Sequence, residues 1–535
     1  MKRIKQYFPL LTCMLLLLNA CYKDKGNYNY MDSNQVTFLT RLVPYIMPAD
    51  FEFTITPPIS LKYPAEDLNE IFTGEWKLNG IIIGNEAILK HKIATPGDYK
   101  LSVKLTDKKT GQVYKSKENE YSISVKYPYF LGWMVLSNKE GASKLSYIYP
   151  LSENSYTQTD DVYEKMNNGA SLGSNPYSLF EYTSYLETLK GDPKLLISQE
   201  SGNVTLTGAT LKREKTILEE FMTAQLASGL RIKNLGFKGY FYLIQGEDNK
   251  LYKKIVSDRK DLYSGKYDLE IFDKPSEITL MMPFNNAHYS SKTDKYALLY
   301  DQKNSRFIGI DVHSTSNPGN ITYFNNYLSP PASGVLKVNN MGAGTEVLAI
   351  SSTETRGSGA SSAIRSLIKA NDQYFLHSFT LKDYTASNHR ISETDQVAFK
   401  AANLLSNKSI IQFPSSFLET DYFYFTAGPN NEQLYVYNIK TNTASLAYTG
   451  TTAIVSICAS PIENVFADFG GNAKYPNFKL AAAHENGEIA ILDVSKATLT
   501  KVYEGIVKDI AQTKLSGFGK VVDMTWRFGG FNGEY

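Results

Sequence analysis

His484-Glu485-Asn486-Gly487-Glu488-Ile489-Ala490-Ile491-Leu492-Asp493 is the stretch on which the fold turns. A polar turn with Gly487 in it leads into four apolar residues that end on Asp493, and the apolar run Phe478 to Ala483 stands just before it. That is a hairpin of two short strands. Working outward, the same plan recurs along the chain. Gly132 to Leu136 goes with Lys144 to Tyr149, Leu195 to Ser198 with Val204 to Leu206, and Tyr240 to Ile244 with Leu251 to Val256. Tyr296 to Tyr300 goes with Arg306 to Val312, Val347 to Ser351 with Tyr374 to Leu381, and Tyr422 to Thr426 with Gln433 to Ile439. Copies spaced by roughly 45 to 75 residues point to an array, because four-stranded units of about 40 to 50 residues are propeller blades. The expectation for residues 128–535 is an all-β, seven-bladed β-propeller, with two packed β-sandwiches as the rival. Circular closure hides the strand edges that the rival leaves open. Val521 to Trp526 comes after the seventh hairpin and is placed to complete the first blade. Helical periodicity is confined to Lys212 to Gln225 and Ser361 to Ala370, read as short helices in excursions.

Upstream, residues 33–127 alternate apolar and polar residues in short runs: Val36 to Leu39, Phe51 to Ile55, Ile59 to Tyr63 and Tyr121 to Val125. The clearest run, Tyr99 to Leu105, puts Tyr99, Leu101, Val103 and Leu105 on one face and Lys100, Ser102 and Lys104 on the other. Trp76 lies in a further strand that ends on Asn79-Gly80, a good two-residue hairpin turn. The run from Pro96 to Asp107, with Trp76 on a middle strand, resembles the PKD-like branch of immunoglobulin-fold domains. That resemblance implies a sandwich used as a spacer or adhesion module.

At the start of the chain, Lys2, Arg3 and Lys5 precede an apolar segment from Phe8 to Leu18. It is too short for a spanning helix, which needs about 20 apolar residues, and has the build of a signal peptide. Leu15-Leu16-Leu17-Leu18-Asn19-Ala20-Cys21, an apolar run that closes on a small residue and cysteine, resembles a bacterial lipobox, which implies cleavage after residue 20 and a lipid on Cys21. Residues 21–32 then read as a polar tether. Cys-Tyr-Lys-Asp-Lys-Gly-Asn-Tyr from Cys21 is similar to the start of Bacteroidetes lipoproteins, and so implies an outer-membrane, lipid-anchored protein facing the cell exterior.

Composition narrows the function classes. The chain has 56 Lys and Arg against 54 Asp and Glu; without Lys2, Arg3 and Lys5 the balance is 53 to 54, net −1. With no basic excess, nucleic acid is not an expected partner. Of three cysteines, Cys13 leaves with the signal and Cys21 carries lipid, so Cys458 is left as a packing residue with no disulfide mate. The 38 Tyr and 27 Phe suit both β-strands and surfaces that stack on ligands.

A search for catalytic groups finds little. The six histidines are scattered singly, with no metal-ligand spacing, and Arg356 to Ser362 is Gly/Ser-rich without the lysine of a phosphate loop. His484 reads as a turn or strand-end residue. Asp160-Asp161 and Glu219-Glu220 read as solvated surface, since a glycosidase needs two acids facing one bond. Asp301, Asn304 and Asp311 lack calcium-loop spacing. No catalytic residue, metal or cofactor is expected. Two aromatic and amide clusters remain as candidate ligand contacts, Phe284, Asn285, His288 and Tyr289 in one, and Tyr323, Phe324, Asn326 and Tyr327 in the other. Exposed rings beside amides can stack on sugars or grip an extended peptide, while loop aromatics also pack down to fix their own loops.

The whole arrangement, from the Cys21 stretch through Trp76 and Pro96 to Asp107 and on to Gly132-Trp133-Met134-Val135-Leu136-Ser137, resembles the PKD-like family lipoproteins of Bacteroidetes. The resemblance implies a surface accessory that binds oligopeptide or glycan beside a SusC/SusD-type, RagA/RagB-like importer. The alternatives are a lipoprotein hydrolase with a site at the propeller mouth and a purely structural or adhesive component.

Overall fold

Strands that are apolar on both faces must be buried between two neighbours, and this requirement organises most of the chain. The computed structural model describes residues 34–41, 44–117, 120–152, 155–182, 194–238, 241–257, 263–281, 296–311, 319–354, 362–385, 388–413, 422–460 and 479–527. It divides into two compact units. One is built on the described residues up to Arg41, with Thr54–His91 and Tyr99–Ser122; the other takes Leu42–Phe53, Lys92–Asp98 and everything from Ile123 onward.

In the first unit, Phe72–Leu78 pairs antiparallel with Ile81–Glu86 on one side and with Gly97–Asp107 on the other. Asn79 and Gly80 make the turn between the first two, both with positive φ (48° and 85°), as the sequence predicts. Leu101, Val103 and Leu105 are buried along one face of Gly97–Asp107, so the alternation read from the sequence holds. Trp76 is fully buried and its Nε1 donates to the Glu86 carbonyl at 2.9 Å. Gly74 makes that contact possible, since a Cβ there would lie 2.0 Å from the same oxygen.

In the second unit, seven sheets of four or five strands follow one another among the described residues. One end of sheets two to seven is held by Pro176–Tyr182, Ile232–Lys238, Ile278–Met281, Glu346–Glu354, Ile411–Gln412 and Ile454–Ala459 in turn, and several of these strands neighbour the corresponding strand of the next sheet. In the first sheet that place is taken by the last strand of the chain, Lys520–Arg527, antiparallel to Gly132–Lys139. The predicted closing strand therefore does close the ring, and this is a β-propeller.

Seven apolar interfaces join the sheets in order, the last linking the seventh sheet back to the first. Alternate residues of one strand serve two of them. Phe241 and Leu243 pack toward the fourth sheet, while Tyr242 and Ile244 pack toward the second. At the closure, Trp133 stands directly opposite Trp526 with ring centroids 4.5 Å apart at 81°, and the Trp133 Nε1 donates to the Cys458 carbonyl at 3.1 Å. Cys458 is buried, and burial pushes its thiol up to about 12.

Two local expectations fail. Ser362–Ala370 is a strand of the fifth sheet, not a helix. Ile364, Leu367 and Ile368 have helical spacing, but Ile364 and Ile368 face the fourth sheet and Leu367 faces the sixth, so tertiary burial overrides the local pattern. As a result, Val347 and Tyr374 lie on the first and third strands of that sheet and do not form one hairpin. Lys212 to Gln225 is only partly helical: it holds a strand, Arg213–Thr216, then a short 3₁₀ turn, Ile217–Glu220, and the start of Ala224–Ala227.

Candidate functional site

A cleft of about 440 Å³ opens beside the third sheet of the ring. Three local structures build it: the crossing from the second sheet, which contains the helix Ala224–Ala227; the tight turn between Phe241–Gly246 and Leu251–Ile255; and the short outer strand Asp268–Leu269. Leu226, Leu230, Tyr252 and Leu269 supply its apolar surface. The Tyr252 ring packs against Phe221 (centroids 5.3 Å), which holds the base of the cleft in place.

The rim carries both charge signs. Asp248 accepts the Lys250 N–H with one carboxylate oxygen (3.2 Å), which fixes the turn. Its other oxygen takes Lys250 Nζ at 2.8 Å and lies 3.4 Å from the Tyr252 hydroxyl. Asp248 raises the Lys250 ammonium; burial first, then Asp248, raises Tyr252. Asn249 turns the chain with a φ of 58°. The Glu247 N–H donates to the Arg231 carbonyl (2.9 Å), and the Arg231 guanidinium lies 4.2 Å over the Tyr177 ring. Rim charges this exposed contribute little to stability.

Below, in the interface between the second and third sheets, Lys254 and Glu220 form a fully buried pair at 2.5 Å. The lysine lies 4.9 Å from the Tyr242 ring centre and 4.8 Å from that of Tyr267. This corrects the reading of Glu220 as solvated surface. Glu219 instead caps the 3₁₀ turn, accepting from the Thr216 N–H (2.8 Å). Asp161 caps the helix Val162–Met166 and pairs with Lys144.

The predicted ligand residues are placed differently. Cys21 and the cluster Phe284, Asn285, His288 and Tyr289 lie outside the described residues, as does Arg356 to Ser361. Phe324 is buried in the core between the fourth and fifth sheets. Tyr323 stacks under the Arg306 guanidinium (4.6 Å) and its hydroxyl accepts the Asp273 N–H (3.2 Å). Tyr327 is half-buried and donates to Asn339 (3.2 Å). Asn326 is exposed on a two-residue strand paired in parallel with Arg390 and Ile391. These aromatic residues thus fix their own loop and do not stand free over a ligand.

Asp301 accepts from Ser276, Asn304 and Arg306, so its carboxylate is taken up by a turn. Arg306 in turn holds Asp273 down at about 2. Among the described residues no group of acids, histidines and cysteines is arranged to hold a metal. His484 ends its strand as expected, between the Thr452 carbonyl (2.9 Å) and the Tyr448 hydroxyl (3.0 Å), and burial lowers its pKa.

Residues 21–176 match the PKD-like family. The match takes in the sandwich and the first strands of the ring, less than a third of the chain. No curated protein matches the sequence. Among solved structures, the chain is similar to a quinoprotein alcohol dehydrogenase-like protein from Bacteroides thetaiotaomicron, at 12% identity over 91% of this chain and 97% of that one, with a TM-score of 0.39. It is also similar to YCF48 from Cyanidioschyzon merolae (10% identity, 60% and 82% covered, TM-score 0.34). A third is Sqt1 from Chaetomium thermophilum, solved bound to the N-terminus of ribosomal protein L10 (12% identity, 65% and 77% covered, TM-score 0.34).

Proposed function

We propose that this is a lipid-anchored binding protein, tethered to the outer membrane through Cys21, that takes up an oligopeptide in the cleft beside the third sheet. The observation that carries the ligand class is the pairing of an apolar cleft surface with acids and bases together on the rim. A peptide has that character, with side chains to bury and termini of both signs to pair. A glycan wants an open aromatic face, and here Tyr252 is buried while Tyr177 is covered by Arg231. The PKD-like match of residues 21–176 supports the sandwich part of the resemblance to Bacteroidetes lipoproteins; the lipid anchor rests on the lipobox-like stretch, and the role beside a SusC/SusD-type importer on that resemblance alone.

Calorimetry on the chain lacking residues 1–21, with peptide and glycan pools, tests the ligand class. The expected result is heat from peptides only, weakened about tenfold or more by Asp248→Ala together with Arg231→Ala. Glycan binding, or peptide binding untouched by both changes, sinks the cleft assignment. Purification from native membranes tests the partners: a large β-barrel and a SusD-like lipoprotein should come with the wild type.

A further inference from the structure

We infer that the outer strand of the sandwich, Ile81–Glu86, is a self-pairing edge that joins two copies of this chain. The strand ends its sheet. Among the described residues, no backbone hydrogen bond from outside its hairpin reaches Ile81 to Asn85. Ile81 is 72% exposed and Ile82 54%, both large apolar side chains. Soluble proteins blunt such edges with lysine, proline or covering side chains. The outer strand of the third sheet does so: the Leu269 N–H is taken by Asp268 (2.8 Å) and the Ile271 N–H by Glu270 (3.2 Å). From Ile81 to Asn85 the strand has no lysine, proline or side-chain acceptor of that kind, and its guard is limited to the one-residue slip in register between Ile82 and Gly84.

The sequence states which occupant fits. Asn79-Gly80-Ile81-Ile82-Ile83-Gly84-Asn85 reads the same in both directions and carries no charge. Two copies related by a two-fold axis pair antiparallel, so every position meets its mirror position in the partner. About an axis at Ile82, Ile82 meets Ile82 as a matched β-branched pair, with no like charges opposed; Ile83 is the extra residue where the register slips and is not counted.

The backbone agrees. Leu78 and Ile81 close the two-residue turn, so the next pair, Lys77 and Ile82, is of the kind that leaves its N–H and C=O pointing away. Ile82 therefore offers one donor and one acceptor outward, and two copies satisfy each other. A contact this short falls below the roughly 1,200 Å² of a stable interface, so the dimer is weak and reversible. The inference does not depend on the ligand reading.

Sedimentation velocity of the detergent-solubilised full chain, over a range of concentrations, tests it. Wild type should pass from monomer to dimer at roughly micromolar to hundred-micromolar concentration. Ile82→Thr, uncharged and strand-forming, should keep the transition. Ile82→Lys places two ammonium groups against each other and should shift the midpoint upward by about tenfold or more. Since Ile82 is exposed, both variants should melt with the wild type, which checks their folding. In hydrogen exchange, the Ile82 amide should gain protection with concentration in wild type and Ile82→Thr, and not in Ile82→Lys. A wild type that stays monomeric overturns the inference and leaves the edge to a strand of another polypeptide. An Ile82→Lys chain that dimerises like wild type, as it would through its lipid or another face, overturns it equally.

Discussion

The sandwich and the ring bury their strands by opposite means. Gly97–Asp107 has one wet face and one dry one, with buried and part-exposed residues in turn from Leu101 to Asp107. Lys479–His484 is buried at every position because each of its faces meets another sheet. The sandwich keeps an unpaired edge at Ile81–Glu86, whereas the ring brings Lys520–Arg527 back to its first sheet. A strand shared between the two ends of a ring makes stability collective; a layered sandwich holds its strands more locally.

The sharpest way to break that comparison is to delete the residues after Gly519. Without the closing strand the ring should unfold in a single cooperative step, with exchange protection lost from all seven sheets, while Phe72–Leu78 and Gly97–Asp107 stay protected. Loss confined to the first sheet would mean that the ring is not mechanically closed.

Next in size is Arg527. It is fully buried and donates to the Tyr129 carbonyl (2.7 Å) and the Gly208 carbonyl (3.0 Å), with Glu181 at 3.3 Å. Arg527→Ala takes the guanidinium from the part-buried Glu181 carboxylate and from two carbonyls, and should cost the ring about 3–5 kcal/mol in urea unfolding. Arg527→Lys should rescue little, because an ammonium cannot span three acceptors set around a planar fork. Trp76→Ala should cost a similar amount, about 3–5 kcal/mol, but in the sandwich transition only. A shift of both transitions together would undo the distinction between the two units.

The smallest expected effect is a pH dependence specific to the ring. Asp523, on the closing strand, accepts the Leu179 and Met524 N–H groups (2.9 and 2.8 Å), yet burial pushes its carboxyl up to about 6. An acid raised above its unfolded value takes up protons on folding. Its contribution is full below about pH 4 and is lost as pH rises through about 6. Ring stability should fall by on the order of 1–2 kcal/mol between about pH 4 and pH 7. Asp523→Asn should flatten the fall, and the sandwich should not share it; a profile unchanged by Asp523→Asn would remove the assignment.

The same contrast explains how much was legible. The Asn79-Gly80 turn, the Tyr99 to Leu105 alternation, the closing strand and six of the seven hairpins can be read directly, because each depends on neighbours in sequence. Ser362–Ala370 cannot, since its Ile and Leu residues are sorted between two flanking sheets that no local period records. The cleft was not legible either: Leu226, Asp248 and Leu269 come from three separate connections, and none belongs to a motif. Tyr323 and Phe324 show the converse, with a local composition that suggests a binding surface but is used to brace Arg306 and the core.

Sequence by itself determined the all-β class, the sandwich before the array, and the strands themselves, down to the one that follows the seventh hairpin. These are properties of strand period, turn chemistry and composition, which act over a few residues. Only the tertiary structure decided which acids are buried, where Arg527 spends its donors and which side chains are left to line a cleft. Those outcomes depend on groups far apart in the chain meeting in a low-dielectric interior, where an unpaired charge or polar atom is too costly to leave alone.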